Sequence, residues 1–209
     1  MLFKDRHDAG LKLSAKLEKY RDQPRTIVLG LARGGVVVAH TVAQVLNLPL
    51  DVIVIRKVGA PDQEELAIGA VNEDGMGYLN EGLIHSLNIN PDYIRKEVDK
   101  QKKAAQQRAA LYRKGIEKAD IKGQTVIVVD DGIATGASVR AALIGLKKQG
   151  AGKIVLAVPV AAVDSLRSLS HDVSEMVCLY APADFMAVGE FYQKFDQTSD
   201  EEVMRLLQS

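Results

Sequence analysis

One stretch, Thr125 to Leu146, constrains the fold more than any other part of this 209-residue chain. It opens with an apolar, β-branched run, Val126 to Asp130, which ends on acid and lies between two glycines. Such a run is typical of a strand that is buried on both faces of a parallel sheet. A second carboxylate and a turn of small residues follow, and then apolar residues recur on one helical face. The order of strand, acidic tip, small-residue loop and helix predicts one unit of an α/β sheet.

The loop after this strand has the composition of a phosphate-binding loop. Small residues let backbone N–H groups point inward, and the start of the next helix adds partial positive charge. Thr135 and Ser138 add hydroxyl donors. Asp130 and Asp131 would repel the same phosphate, but they suit neighbouring sugar hydroxyls or a hydrated Mg²⁺. An ordinary capped turn is the simpler alternative, yet the combination favours a ribose 5-phosphate site.

A second strand and loop repeat this logic. Thr26 to Leu31 reads as a buried strand and runs directly into Ala32-Arg33-Gly34-Gly35. Paired glycines permit close approach of a ligand, and an arginine suits a pyrophosphate. An Arg-Gly-Gly turn alone is common. Two such loops at the carboxyl ends of strands in one doubly wound sheet would, however, face a single crevice.

The remaining chain alternates strands with helices, which predicts a doubly wound, mostly parallel sheet in an α/β fold. With 47% hydrophobic residues, residues 1–209 are expected to form a single domain. Further strands are predicted at Asp51–Ile55, Lys153–Val160 and Met176–Leu179. Helices are predicted at Leu2–Tyr20, Val36–Leu46, Asn90–Lys118 and Asp164–Leu169, and after a capping box at Ser199–Glu202.

The stretch IVVDDGIATGAS resembles the phosphoribosyl-pyrophosphate (PRPP) loop of the type I phosphoribosyltransferase family. Resemblance to one bacterial branch of this family covers nearly the whole chain. It extends to FKDRHDAG, GLARGG, IRKVGAPDQEELAIGAV, LYRKG and EFYQKFDQTSDEEV. The branch is defined largely by its fold, so the resemblance implies the PRPP site more directly than the acceptor.

The resemblance implies roles for individual residues. Asp130 and Asp131 would bind the ribose hydroxyls and, through water, Mg²⁺. The four residues expected to take part in catalysis are Asp130, Asp131, Arg33 and Lys57. The expected PRPP-binding residues are Arg33, Gly34, Gly35, Arg56, Lys57, Asp130, Asp131, Gly132, Ala134, Thr135, Gly136, Ala137 and Ser138.

Two further regions would complete the site by resemblance. A flexible loop with a β-ribbon, about residues 57–80, is expected to close over it; a plain surface hairpin is the alternative. A small hood is expected from the N-terminal segment and about residues 181–209. The aromatic residues of Ala181–Gln197 either stack on a base or pack the hood.

The resemblance implies a Mg²⁺-dependent transfer of the phosphoribosyl group from PRPP to a nitrogenous base or related small-molecule acceptor, with release of pyrophosphate. The 6-oxopurine enzymes carry an aspartate at the position of Ala134, and alanine cannot do acid–base work. Hypoxanthine and guanine are therefore disfavoured as acceptors. Two alternatives remain. One is a PRPP-binding or nucleotide-binding regulatory protein without transfer activity that contacts nucleic acid through residues 90–118. The other is a phosphosugar or nucleotide hydrolase or phosphorylase.

Charge and hydropathy bound the possible partners. Lys plus Arg equals Asp plus Glu, at 27 each, so overall charge does not favour nucleic acid or membrane. Between Asp92 and Asp120, nine basic residues stand beside five acidic ones, which is typical of a solvated helix. No apolar run approaches the roughly 18 residues of a membrane span. We expect a cytoplasmic protein that does not bind nucleic acid, and the family resemblance implies a homodimer.

Overall fold

The computed structural model describes residues 2–209. Its strands are β1 Thr26–Leu31, β2 Leu50–Ile53, β3 Ile55–Ala60, β4 Gln63–Asn72, β5 Gly77–Leu79, β6 Thr125–Val129, β7 Lys153–Val160 and β8 Glu175–Tyr180. Its α-helices are α1 Arg6–Lys16, α2 Gly34–Leu46, α3 Glu81–Ser86, α4 Pro91–Tyr112, α5 Ala137–Lys148, α6 Val163–Leu169 and α7 Asp200–Leu207.

Five strands form the central sheet in the order β2-β1-β6-β7-β8, and every neighbouring pair is parallel. The chain direction across the sheet reverses between β1 and β6, since β2 lies on one side of β1 and the later strands lie on the other. Ligands of open α/β sheets bind in the crevice at this reversal. The predicted doubly wound, mostly parallel fold is confirmed.

Both faces of the central sheet are covered by helices. Ile127 and Val129 pack with α1 and α2, whereas Val126 and Val128 pack with α5 and the end of α6. All four side chains are fully buried. Two covered faces explain why this strand is a continuous apolar run rather than an alternating one.

A second, antiparallel sheet has the strand order β3-β4-β5. Its apolar face, with Val58, Ile68 and Val71, packs against α3 and α4. The turn between β3 and β4 passes through Asp62, at φ +58°. Residues 57–80 therefore form mainly regular strands, and their closure over a ligand stays a prediction.

The first predicted helix is shorter than its apolar pattern indicates. The helix begins at Arg6 instead of Leu2, because the Asp5 side chain caps it by accepting a hydrogen bond from the Asp8 backbone N–H. Residues before the cap are extended, and Phe3 forms a parallel bridge with Tyr192. α1 ends at Lys16, and a short 3₁₀ helix follows it.

Other predicted boundaries also differ from the structure. The helix predicted to begin at Val36 begins at Gly34, after Arg33 as its N-cap, so both glycines of the predicted loop lie in its first turn. The run Asp51–Ile55 is divided between the two sheets, since β2 ends at Ile53 and β3 begins at Ile55. Arg56 and Lys57 therefore belong to the second sheet. The helix predicted to reach Lys118 ends at Tyr112, because the next residue turns toward buried carboxylates and Gly115 adopts φ +81°.

Within residues 2–209, no helix combines the length and the apolar character that crossing a bilayer demands.

Candidate active site

The acidic pair lies at the carboxyl end of β6, next to the reversal of strand order. Asp130 Oδ1 accepts a hydrogen bond of 2.9 Å from the backbone N–H of Asp131. Burial, followed by the charge of Asp131, raises the pKa of Asp130 well above its ordinary value. The two carboxylates are thus held side by side at the end of a buried strand.

The Arg-Gly-Gly loop after β1 lies directly against this pair. A Cβ atom on Gly34 would stand 1.9 Å from Asp131 Oδ2, and one on Gly35 would stand 2.8 Å from Asp130 Oδ1. A Cβ on Gly35 would also stand 2.9 Å from the Asp130 Cα, whereas one on Gly34 would displace the ends of the Asp131 and Arg6 side chains, so a substitution at either glycine disturbs the acidic pair. The peptide bond between Ala32 and Arg33 is cis. The two loops that the sequence predicts to share one crevice are therefore in contact.

The small-residue loop leads from the acidic pair into α5. Ile133 anchors it, donating its backbone N–H to Val160 O at 3.0 Å and accepting from Ala162 N at 2.9 Å. Gly136 precedes the helix at φ +75° and offers no side-chain cap. The first amides of α5 are therefore not capped by a side chain at this position. Thr135 is exposed and Ser138 is half-buried, so neither side chain is enclosed in the core.

Arg33 points toward the first turn of α7. Its Nη1 lies 3.7 Å from Asp200 Oδ1, and Arg108 Nη2 lies 3.5 Å from the other oxygen of the same carboxylate. Tyr112 donates its hydroxyl to Asp200 at 2.7 Å, and burial, reinforced by Asp200, raises the pKa of Tyr112. Arg56 lines the adjacent depression of about 270 Å³ together with Arg108 and Asp200.

Lys57 stands apart from the other predicted site residues. Its side chain is exposed on β3. Within residues 2–209, no hydrogen bond or ion pair joins it to the acidic pair or to Arg33. The structure thus brings together the two loops. Arg33 lies near Asp200, and Arg56 donates to Gln101 at the edge of the adjacent depression. A role for Lys57 still requires closure of the second sheet.

Two residues that sequence reasoning missed touch Asp131 directly. Arg6 Nε donates to Asp131 Oδ2 at 2.7 Å, and Tyr192 donates its hydroxyl to Asp131 O at 2.6 Å. Burial raises the pKa of Tyr192, which keeps this hydroxyl a donor. The available signal was the pair of family-like stretches FKDRHDAG and EFYQKFDQTSDEEV, but neither stretch revealed what its residues contact.

The aromatic residues near the C-terminus pack on one another. Phe185 stacks on Phe191 at 5.6 Å between ring centroids, and Tyr192 lies 5.3 Å from Phe3 and 4.9 Å from Phe195. Of the two interpretations of this cluster, the contacts favour packing. A polar cavity of about 330 Å³ lies beside it, lined by Val37, residues 5–7 and residues within 194–202. Arg6 is common to this cavity and to the acidic pair.

Several basic side chains of the stretch 90–118 form ion pairs with carboxylates. The ion pairs are Arg95 with Asp92, Lys100 with Glu97, Arg108 with Asp200, Arg113 with Asp51 and Glu73, and Lys118 with Glu73 and Asp74. Five of the nine basic residues are thus held within the molecule. Whether the stretch contacts nucleic acid stays a prediction.

Known proteins resemble this chain over most of its length. A model of the phosphoribosyl transferase domain family matches residues 5–193. A protein of Mycobacterium tuberculosis named "Putative phosphoribosyl transferase" is 43% identical over 206 residues, which are 99% of this chain and 46% of that protein. The chain thus spans about half the length of the curated relative that it matches.

Solved structures with the same fold are also found. The crystal structure of TT1426 from Thermus thermophilus is 42% identical, with a TM-score of 0.83 and coverage of 99% of this chain and 98% of that one. The purine phosphoribosyltransferase from Pyrococcus horikoshii is 18% identical, with a TM-score of 0.51 and coverage of 93% of each chain. The latter similarity concerns the fold alone.

Proposed function

The chain belongs to the phosphoribosyl transferase domain family, and from that premise we propose that it is a Mg²⁺-dependent phosphoribosyltransferase. It transfers the phosphoribosyl group of PRPP to a nitrogen acceptor and releases pyrophosphate. The observation that carries the proposal is the direct contact between the Arg-Gly-Gly loop and the acidic pair, since Gly34 and Gly35 lie against Asp131 and Asp130. One crevice therefore offers a diol-binding pair beside two anion-binding loops.

Each part of the crevice has a role that follows from its chemistry. The amides of Ala134–Ser138, with the hydroxyls of Thr135 and Ser138, hold the 5-phosphate at the start of α5. Asp130 and Asp131 accept hydrogen bonds from the ribose hydroxyls and favour the positive charge that develops on the sugar ring. Gly132 and Gly136 shape the loop between these two groups.

The leaving group is served by the other loop. The backbone of Gly34 and Gly35 approaches the pyrophosphate closely, and Arg33 supplies a cation for its charge. Arg56 borders the same side of the crevice, and Lys57 would join it on closure of the second sheet. Because charge separation sets the barrier, neutralising the pyrophosphate is the main electrostatic task of these residues.

The acidic pair also fits Mg²⁺, which prefers carboxylate oxygen and water. Within residues 2–209, no group of three or more His, Cys, Asp or Glu side chains forms a metal cage. Two carboxylates suit an ion that arrives with PRPP and is held through water. Such an ion would supply further charge neutralisation at the pyrophosphate.

The polar cavity between the N-terminal segment and the tail is the proposed acceptor site. It shares Arg6 with the acidic pair, which supports an acceptor position next to the bound sugar. Ala134 has no acid–base function, so the proposal disfavours hypoxanthine and guanine and leaves the acceptor to a base panel. Family resemblance extends the proposal to a homodimer in the cytoplasm. Size-exclusion chromatography would test the oligomeric state.

Calorimetric titration with PRPP, with and without Mg²⁺, tests the proposal. Wild type should bind with micromolar affinity, about 8 kcal/mol, only when Mg²⁺ is present. The Asp130→Asn/Asp131→Asn variant should lose this binding and stay folded, whereas Asp164→Asn, on an exposed surface carboxylate, should match wild type. Arg33→Ala should weaken pyrophosphate binding more than ribose 5-phosphate binding.

Pyrophosphate release with a panel of acceptors then separates an enzyme from a binding protein. Mg²⁺-dependent PRPP binding without turnover on any acceptor would favour the regulatory alternative, which salt-dependent RNA or DNA binding would support. A folded wild type that does not bind PRPP would refute the proposal.

A further inference from the structure

The N-terminal segment, residues 2–6, and the tail, residues 181–209, border the proposed acceptor cavity and are joined to each other. Phe3 donates its backbone N–H to Phe191 O at 2.7 Å and accepts from Gln193 N at 2.8 Å. Lys194 N donates to Lys4 O at 2.9 Å. These bonds extend the chain before α1 alongside the tail, so the two segments form one structural unit next to the crevice.

This unit aims Arg6 at the acidic pair. Arg6 is the first residue of α1, directly after the Asp5 cap. Its Nη1 donates to Asp196 O at 2.7 Å, and its guanidinium stacks on the Phe195 ring at 3.9 Å from the centroid. These two contacts hold the guanidinium, whose side chain is 12% exposed, while its Nε donates to Asp131.

The packing of α1 on α2 makes this aim rigid. Gly10 lies so close to α2 that a Cβ atom there would stand 2.6 Å from Thr41 Cβ. α2 begins within the Arg-Gly-Gly segment, at Gly34. Arg6 itself would lie 2.8 Å, at Nε, from a Cβ on Gly34. One guanidinium therefore borders the acidic pair, the pyrophosphate loop and the acceptor cavity.

The contacts of Asp131 show what the ion pair leaves free. Oδ2 is occupied by Arg6, the carbonyl oxygen accepts from Tyr192, and the N–H donates to Asp130. Across the described part of the chain, no N–H group and no hydroxyl group donates to Oδ1, and the side chain that approaches the Asp131 carboxylate besides Arg6 is the neighbouring Asp130 carboxyl. Arg6 thus fixes the rotation of the carboxylate and leaves one oxygen to meet a ligand hydroxyl.

We propose that Arg6 is a positioning residue, which orients Asp131 so that the site selects a sugar phosphate with a vicinal diol over its 2-deoxy counterpart. The inference rests on the proposed function, because it takes Asp131 as the acceptor for a ribose hydroxyl. A site built to bond a hydroxyl rejects an analogue without it, since its own polar group is then left unpaired. Without Arg6, Asp131 rotates freely and the distinction is lost.

The test compares binding of ribose 5-phosphate and 2-deoxyribose 5-phosphate by calorimetry. Wild type should favour ribose 5-phosphate by about tenfold or more, as expected for one hydrogen bond to a charged group. Arg6→Gln should reduce this preference to about threefold or less. Lys12→Gln, which removes a surface cation from the same helix, should keep the wild-type preference.

A double-variant comparison separates positioning from general damage. In an Asp131→Asn background, Arg6→Gln should change the preference no further, because its effect runs through Asp131. Arg6→Lys keeps the charge but not the planar fork and should give an intermediate preference. If Arg6→Gln does not fold, Arg6→Lys decides the question by the same ratio.

The outcomes test the proposed function and the role of Arg6 separately. Failure of wild type to bind PRPP or ribose 5-phosphate refutes the proposed function, and this inference falls with it. A wild-type preference that persists in the Arg6 variants refutes the inference and leaves the proposed function intact. Equal additional losses from Arg6→Gln with and without Asp131 also refute it, because they indicate a structural role.

Discussion

Replacing Arg113 with methionine tests the ion cluster that joins the two sheets. Arg113 Nε lies 2.7 Å from Asp51 Oδ1, its Nη1 lies 2.8 Å from Glu73 Oε1, and its Nη2 donates to Val52 O at 2.6 Å. The three charged side chains are 10%, 7% and 11% exposed. Burial lowers the pKa of Arg113, but the two carboxylates more than offset this and raise it overall, so the cation persists.

The expected cost follows from what the substitution leaves behind. Arg113→Met leaves the buried Asp51 without a cation and leaves Glu73 paired with Lys118 alone. Both carboxylates lie beside a cavity of about 30 Å³, which has room for about one water molecule. Breaking a buried pair in this way costs about 3–5 kcal/mol. At about 2–4 °C per kcal/mol for a chain of this size, the melting temperature should fall by about 6–20 °C.

Urea unfolding followed by circular dichroism, with calorimetry for the melting temperature, measures the effect. Arg167→Met serves as the control, because its ion pair with Asp164 is 78% and 96% exposed and should contribute at most about 1 kcal/mol. Adding Asp51→Asn to Arg113→Met should restore part of the lost stability. A loss below about 1 kcal/mol in Arg113→Met would show that water reaches the cluster and that the burial argument is wrong.

Two further predictions concern the crevice and the opposite end of the sheet. Gly34→Ala should weaken Mg²⁺–PRPP binding by about tenfold or more while the melting temperature stays near that of wild type, because the new Cβ would strike Asp131 Oδ2 at 1.9 Å. Gly82→Ala, whose nearest neighbour would be 3.6 Å away, is the matched control, and equal titrations for the two variants would contradict the reasoning. Glu175 has a hydrogen bond with Lys19 that holds its pKa at about 2, against an ordinary 4.5. Because the pKa of Glu175 is lower in the folded state, the difference in unfolding free energy between wild type and Glu175→Gln should be full above about pH 4.5 and shrink as the pH falls toward 2. Urea unfolding at several pH values checks this, and a pH-independent difference would refute it.

The buried strands were the most predictable part of the fold. Thr26–Leu31 and Lys153–Val160 match the observed strands to the residue. Each is an apolar run flanked by turn residues, and burial on both faces makes such a run continuous. The acidic pair and the two segments beside it could also be recognised in the sequence, because residue types and spacing within a dozen positions define them.

What sequence reasoning missed depends on contacts between distant residues. Asp51–Ile55 has no local mark at the point where the chain changes sheets. Tyr112 ends its helix because the next side chain enters a cluster with residues 40 and 62 positions away. Arg6 meets Asp131 across 125 positions. Periodicity reports on neighbours along the chain, so none of these contacts could be inferred from it.

The hydrogen bond between Arg6 and Asp196 joins residues 190 positions apart. It can therefore form only late in the synthesis of the chain. At roughly 5–20 residues per second, about ten to forty seconds separate the appearance of these two residues on the ribosome. The central sheet is complete once β8 has emerged, but the N-terminal motif still lacks the tail against which it lies. The crevice is therefore completed after the central sheet that carries it. When all five core strands have been synthesised, Tyr192, whose hydroxyl donates to the Asp131 backbone oxygen, has not yet been added to the chain.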